Sequence, residues 1–184
     1  MKTLGWIATT TILLLATLGL TGWSGFKNIG HQREWSAVTV DGAEGELHGV
    51  RVGVREARAA VVDSKPDRAL LFVRIDLQGP QASIASWVDC RASLRSPDGQ
   101  TWLPIYDYSI RGAIQILASD GKDNGNCNPV DVTENGPTTF DQIYRLPASA
   151  LDNLVLNVSG HGTRPAALAF SIKPDVRMFK TPSQ

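Results

Sequence analysis

The oxygen-rich run Asp120-Gly121-Lys122-Asp123-Asn124-Gly125-Asn126 is where this 184-residue chain comes nearest to a chemical motif. Carboxylates and amides spaced around a glycine turn are what a hard cation such as calcium requires. The pattern is incomplete. Lys122 stands at the third position, where an oxygen ligand is needed, and Asp131 rather than a glutamate closes the run at position twelve. Asn and Asp also build turns with no ion present. No metal and no cofactor is therefore expected. The three histidines, His31, His48 and His161, are isolated and lack metal-ligand spacing. No Gly-x-Ser-x-Gly elbow and no cysteine–histidine pairing occurs, so no nucleophile is marked and no catalysis is expected.

Two cysteines, Cys90 and Cys127, are present. An even count in an exported domain suggests one disulfide, here closing a loop of 36 residues. Two unrelated buried thiols are the alternative. Zinc is disfavoured because no Cys-x-x-Cys or His-x-x-x-His accompanies the pair.

Three further features have both a structural and a functional reading. Arg51, Arg55 and Arg74 fall on outward strand faces and could form a basic stripe, but cross-strand pairing with Glu56, Asp76 or Asp89 is favoured. Trp87 falls on the face opposite Cys90, where it either anchors a partner or, the favoured reading, packs against a second layer. Asn157-Val158-Ser159 is a glycosylation sequon and is read as accidental.

What positions these residues begins with the leading segment. From Thr3 to Phe26 there is no charge. Roughly 20 helical residues cross the ~30 Å hydrocarbon layer. Residues 1–26 are thus expected to be a transmembrane signal-anchor helix. Its threonine hydroxyls would be satisfied by carbonyls one turn back. Trp6 and Trp23, about 25 Å apart along a helix, would mark the two membrane interfaces. A cleaved signal peptide is the alternative, although no Ala-x-Ala site follows. Basic residues on the two flanks nearly balance, and the cysteines favour a cytoplasmic N-terminus with the rest outside. Residues 27–36 read as a polar spacer.

Beyond residue 26 lie 158 residues with 17 basic and 18 acidic side chains, enough for one core and without the basic excess that nucleic acid requires. The body reads as short alternating runs cut by turn residues, the mark of an antiparallel sandwich or barrel. Strands are expected at 35–40, 47–57 with a bulge at His48-Gly49, 69–77, 87–95, 100–105, 138–146, 154–158 and 168–172. Val88, Cys90, Ala92 and Leu94 should face inward. Ser96-Pro97-Asp98-Gly99 is a turn. Residues 106–118 fit either a short helix or a strand, 119–137 a loop, 147–152 one helical turn, and 175–184 a frayed tail.

The order of these pieces resembles a bacterial immunoglobulin-like domain family of unknown function, found in membrane-tethered proteins, lipoproteins and secreted antigens. The resemblance covers residues 37–174. It lies in Val38-Thr39-Val40, Gly49-Val50-Arg51-Val52, the long run Ala69–Leu77, the hairpin Leu94–Trp102, and Phe140–Pro147 followed by Leu154-Val155-Leu156. Family members have an asparagine soon after the long strand; Gln78-Gly79-Pro80 stands here instead. The resemblance implies a mainly β, immunoglobulin-like antiparallel β-sandwich outside the membrane, and it carries over no active-site residue.

The reading that follows is a membrane-anchored, extracytoplasmic, non-catalytic binding or assembly module with a protein partner in the envelope. Asp120, Lys122, Asp123, Asn124 and Asn126 form its expected recognition loop, and truncating 119–126 is expected to spare folding. The alternatives are a structural or stress-related envelope protein without a specific ligand, or a secreted calcium-dependent module after signal cleavage.

Overall fold

The computed structural model describes residues 2–32, 34, 36–107, 110–127 and 136–180. Among the described residues a helix α1 (Lys2–Gln32) is followed by ten strands arranged as two sheets. The strands are β1 (Ser36–Val40), β2 (Glu44–Leu47), β3 (Val50–Val62), β4 (Lys65–Gln78), β5 (Arg91–Arg95), β6 (Thr101–Trp102), β7 (Thr138–Pro147), β8 (Leu154–Ser159), β9 (Ala166–Ile172) and β10 (Asp175–Phe179). The first sheet runs β1-β9-β8-β5-β6 and the second β10-β3-β4-β7, with β2 also on β3.

Alternation along the strands closes one core between the sheets. Val50, Val52, Leu71, Val73, Ile75 and Leu77 meet Leu94, Leu154, Leu156, Val158, Leu168 and Phe170, all buried in one cluster. The chain is thus mainly β, with two layers packed face to face. Two pairings depart from the antiparallel expectation: β1 lies parallel to β9 and β10 parallel to β3.

Several expected elements are corrected. His48 and Gly49, both at positive φ, do not bulge a strand; they form the two-residue turn between β2 and β3, whose Leu47 and Val50 are partners. Such turns need positive φ at both central positions. The segment 175–179 is not frayed: its backbone pairs with Arg58–Val62 of β3. The expected strand over 87–95 begins only at Arg91. Before it, a short helix α2 (Gln81–Ile84) and a 3-10 turn (Ala85–Trp87) carry the chain between sheets. The turn breaks the alternation, so Val88 is exposed while Trp87 is fully buried in the main core. The ambiguous 106–118 stretch contains a helix, α3 (Arg111–Leu117). Ile114, Leu117 and Ala118 close over Phe72 and Ile143 on the outer face of the second sheet.

Helix α1 continues past residue 26 into the expected spacer. Among the described residues, no helix is long and apolar enough to cross a membrane. Thr10, Thr11, Thr17 and Thr21 donate their hydroxyls to carbonyls four residues back, at 2.7–2.9 Å. Trp6, Ile7, Ile12 and Leu13 are exposed. The side chain of Trp23 lies outside those described, as does that of His31. Behind the helix, the Glu34 carboxylate accepts hydrogen bonds from Ser93 (2.8 Å) and Ser159 (2.5 Å), tying the chain to the outer face of the first sheet.

Tyr144 sits in the middle of the core, its hydroxyl donating to the Ala92 carbonyl at 3.0 Å. Burial pushes its pKa well above the ordinary value, and the nearby Tyr106 and Glu34 add to the shift. A phenol held neutral in the fold but free to ionise when unfolded stabilises fully below about pH 10 and progressively less above it. Stability is therefore expected to fall by up to about 1.4 kcal/mol per pH unit above pH 10. Urea midpoints at increasing pH check this, and Tyr144→Phe is expected to flatten the alkaline slope.

Candidate recognition loop and its charged clamp

The five loop residues follow α3 and are set against the outer face of the second sheet. There, register places Arg74 of β4 directly opposite Asp141 of β7. Arg74 Nε donates to Asp141 Oδ1 at 2.8 Å and Nη2 to Asp141 Oδ2 at 3.0 Å, a two-pronged pair that fixes the guanidinium plane. The side chains are 9% and 0% exposed. The remaining donors reach the loop: Nη1 to Asp120 Oδ1 at 2.9 Å, and Nη2 to the Lys122 carbonyl at 3.0 Å. Glu56 stands 3.7 Å away and the Phe72 ring centroid 5.4 Å away. Hydrogen bonding to the Asp141 carboxylate comes first among the causes that raise the Arg74 pKa further.

The loop answers with its own backbone. Asn124 donates from N (2.8 Å) and Nδ2 (3.0 Å) to Asp141 Oδ2, and Asp141 N donates to the Gly125 carbonyl at 2.8 Å. The Lys122 and Gly125 amides donate to Asp120 and Asp123 carboxylates two residues back. The first of these bonds, followed by that from Arg74, lowers the Asp120 pKa below the ordinary carboxylate range. Ser119 donates from N and Oγ to Glu56, both at 3.0 Å. Arg58 pairs with Glu56 at 2.7 Å and donates to the Leu117 carbonyl at 3.2 Å, satisfying one of the carbonyls a helix leaves open at its C-terminus.

At the far end Cys127 forms a disulfide with Cys90, with Cα atoms 6.1 Å apart. Both cysteines pack against the main core. The loop is thus held by a covalent link at one end and a buried charge cluster at the other. Removing 119–126 would take Asp120 and the Lys122 carbonyl from Arg74 and leave it Asp141 and Glu56, so truncation is expected to carry a stability cost that thermal melts would measure.

The expected loop residues divide by direction. Asp120 and Asn124 turn toward the sheet, and Asp123 serves its own turn. All four of Asp120, Lys122, Asn124 and Asn126 are exposed, but among the described residues Lys122 and Asn126 have no side-chain bond to the sheet, and Asn126 lies beside Tyr106. Among the described residues no group of three or more His, Cys, Asp or Glu side chains is placed to hold a metal ion. The carboxylates nearest the loop converge on a guanidinium, which supplies the positive charge a cation would bring.

Two arginines of the expected basic stripe are paired, whereas the Arg51 side chain is exposed and, among the described residues, has no hydrogen bond or ion pair. Arg55 binds Asp76 (2.6 Å) and Glu44 (2.7 Å), and Arg74 takes Asp141, Asp120 and Glu56. Asp89 instead faces Arg164, with the carboxylate 3.4 Å from Nη1. Asp141 was the residue the sequence hid. Its one signal is strand parity, an acid on the outward phase of β7. Asn157 of the sequon is 8% exposed within β8, closed to a glycan in the folded chain.

No protein-family model matches the chain, and no curated protein does either. Among solved structures it is similar to a candidate lipoprotein from Staphylococcus aureus subsp. aureus NCTC 8325. The TM-score is 0.45 at 12% identity, covering 76% of this chain and 96% of that one. A candidate lipoprotein from Bacillus subtilis subsp. subtilis strain 168 gives a TM-score of 0.44 at 10% identity, covering 73% of this chain and 39% of that one. At these scores neither likeness bears on function.

Proposed function

We propose that this chain is a membrane-tethered, extracytoplasmic binding module of the immunoglobulin-like type, recognising a protein partner in the cell envelope without catalysing a reaction. The observation that carries the reading is the doubly held loop. A segment fixed by Cys90–Cys127 and by Arg74–Asp141 presents Lys122 and Asn126 outward with little conformational freedom left to lose on binding. Tyr106 (60% exposed) and Ile116 (64% exposed) supply apolar surface from the segments that lead into the loop.

Three observations support the architecture and location. Among the described strands the chain crosses between sheets after β1, β4, β6, β7 and β9, as in a Greek-key sandwich. The disulfide fits an oxidising compartment. The uncharged Thr3–Phe26 stretch, with exposed aliphatic side chains and threonine hydroxyls satisfied within the helix, suits a lipid surround.

A photocrosslinker placed at position 122 or 126 in intact cells tests the reading. A discrete crosslinked envelope protein is expected, lost when Lys122→Ala and Asn126→Ala are combined with the crosslinker at Ile116. Thiol labelling of the same cells should show both cysteines blocked until reduction, in the membrane fraction. Free thiols reached only after permeabilisation would place the domain inside and end the proposal.

A further inference from the structure

We propose that the far end of the second sheet carries a second site, a cationic groove that binds a phosphate-bearing polyanion. Arg68 lies opposite Pro147 and Arg145 opposite Leu70, so the two arginines are diagonal neighbours on adjacent strands. They share the outward face, because the intervening Ala69 and Leu146 are buried in the core. Like charges at that spacing repel. The contrast along the same face is plain: Arg74 has three carboxylates within 4 Å, whereas Arg68 has only the exposed Asp67 at 3.6 Å. Among the described residues the side chains of Arg145 and Lys65 have no hydrogen bond or ion pair.

Two grooves, of about 630 and about 430 Å³, flank these side chains, and both include Arg68 and Arg145. The first is lined also by Pro66, Leu146, Pro147 and Ser149, and by Asp67, whose exposed carboxylate offsets part of the positive charge. The second is floored by Ala60, Ala69 and Leu70, with Lys65 and Ser64 at its rim. The two grooves share Arg68 and Arg145, and Lys65 adds a third cation at the second. Guanidinium forks match the paired oxygens of phosphate, and an extended ligand reaches all three charges where a single anion reaches one or two.

Topology chooses between a free polyanion and a lipid headgroup. The chain enters the sandwich at Ser36, opposite Ala166. The β4–β5 crossover and the end of β8 lie at that same end, since Arg91 pairs with Ser159. The β3–β4 hairpin that carries Lys65 lies at the other. Arg68 stands ten residues back from Gln78, the last residue of β4, which is about 30 Å of strand. The groove therefore lies at the end of the sandwich away from where the chain enters it, which disfavours a headgroup of the membrane that tethers α1. This choice rests on the tether proposed above, whereas the groove does not.

Calorimetry of the full chain in detergent, with inorganic polyphosphate as the probe, tests the site. Binding is expected to weaken roughly 20-fold between about 50 and about 200 mM salt if three contacts are made. Arg68→Gln with Arg145→Gln should lose at least about tenfold in affinity, since two of three contacts go, with the melting temperature unchanged or raised. Arg51→Gln, an exposed arginine of β3, should bind as the parent does, as should the Lys122→Ala, Asn126→Ala loop variant. Lys65→Gln provides a milder version should the double change misfold. No binding by the parent overturns the proposal, and so does equal binding by the double variant. Orthophosphate bound as tightly as the polymer, or phosphatidylglycerol vesicles bound more tightly through the same arginines, overturns the polyanion assignment.

Discussion

Asp141→Ala is expected to cost about 3–5 kcal/mol and to lower the melting temperature by roughly 10 °C. The carboxylate is fully buried and accepts from Arg74 through both oxygens and from the Asn124 backbone and side-chain nitrogens. Its loss leaves a guanidinium that is 9% exposed with the peripheral Asp120, the Lys122 carbonyl and the more distant Glu56, and without the two-pronged partner that neutralised it. An uncompensated buried charge is far costlier than the intact pair is stabilising, since forming the pair already required desolvating both groups. The sign of a second change follows. Arg74→Met combined with Asp141→Leu is expected to recover most of the loss, because it removes both charges and keeps apolar volume beside Phe72. Should Asp141→Ala not fold, Asp141→Asn keeps the shape and removes only the charge. Thermal melts of the two single variants and the double variant close the cycle. A loss below about 1 kcal/mol for Asp141→Ala would mean that Arg74 finds water on its own, and the clamp would not hold the loop.

The parts of the fold legible in sequence are those where one strand face is buried and the other is polar. Leu71, Val73, Ile75 and Leu77 announce their own phase, and all four lie in the core as read. The Ser96–Gly99 turn is equally plain, and Ser96 and Gln100 close it. Elements whose existence depends on a distant partner were not legible. The strand Asp175–Phe179 is exposed along most of its length, so it lacks the apolar alternation that marks a buried strand, and only its parallel pairing with β3 makes it regular. Glu44–Leu47 holds two glutamates and a glycine, and therefore His48-Gly49 looked like an irregularity in one strand rather than the turn between two. Trp87 was given a face by counting alternation through residues that form a 3-10 turn, where the count does not apply.

The candidate site divides in the same way. Loop composition gave the segment, its turns and its lack of a complete ligand set. It could not give the partner of Arg74, which is fixed by the β4–β7 register across a gap of 67 residues. Nor could it give direction: Asp120 and Asn124 resemble Asp123 and Asn126 in sequence, yet the first two are turned inward by Arg74 and Asp141. The same register brings Arg68 and Arg145 together with only the exposed Asp67 beside them among the described residues, a juxtaposition that no local window shows.

Replacing both cysteines by alanine is expected to cost about 3–4 kcal/mol, because closing a loop of 36 residues removes that much conformational entropy from the unfolded chain. This acts on a different state from the Asp141 change. The disulfide narrows the unfolded ensemble, so the variant without it should also show a larger urea dependence as its unfolded chain expands. The Arg74 cluster acts in the folded state and remains intact. Exchange of the Asn124 and Gly125 amides, which donate to Asp141 and Asp123, is therefore expected to stay slower than that of an open loop in the cysteine-free protein. Combining the cysteine changes with Asp141→Ala tests whether the two ends of the loop act independently. Additive losses mean that each restraint works alone. A combined loss smaller than the sum, by at least about 0.5 kcal/mol, means that both act through the ordering of 118–127. Rapid exchange at Asn124 after loss of the disulfide alone would reverse the assignment, making the covalent link the loop's sole restraint and Arg74 a bystander beneath it.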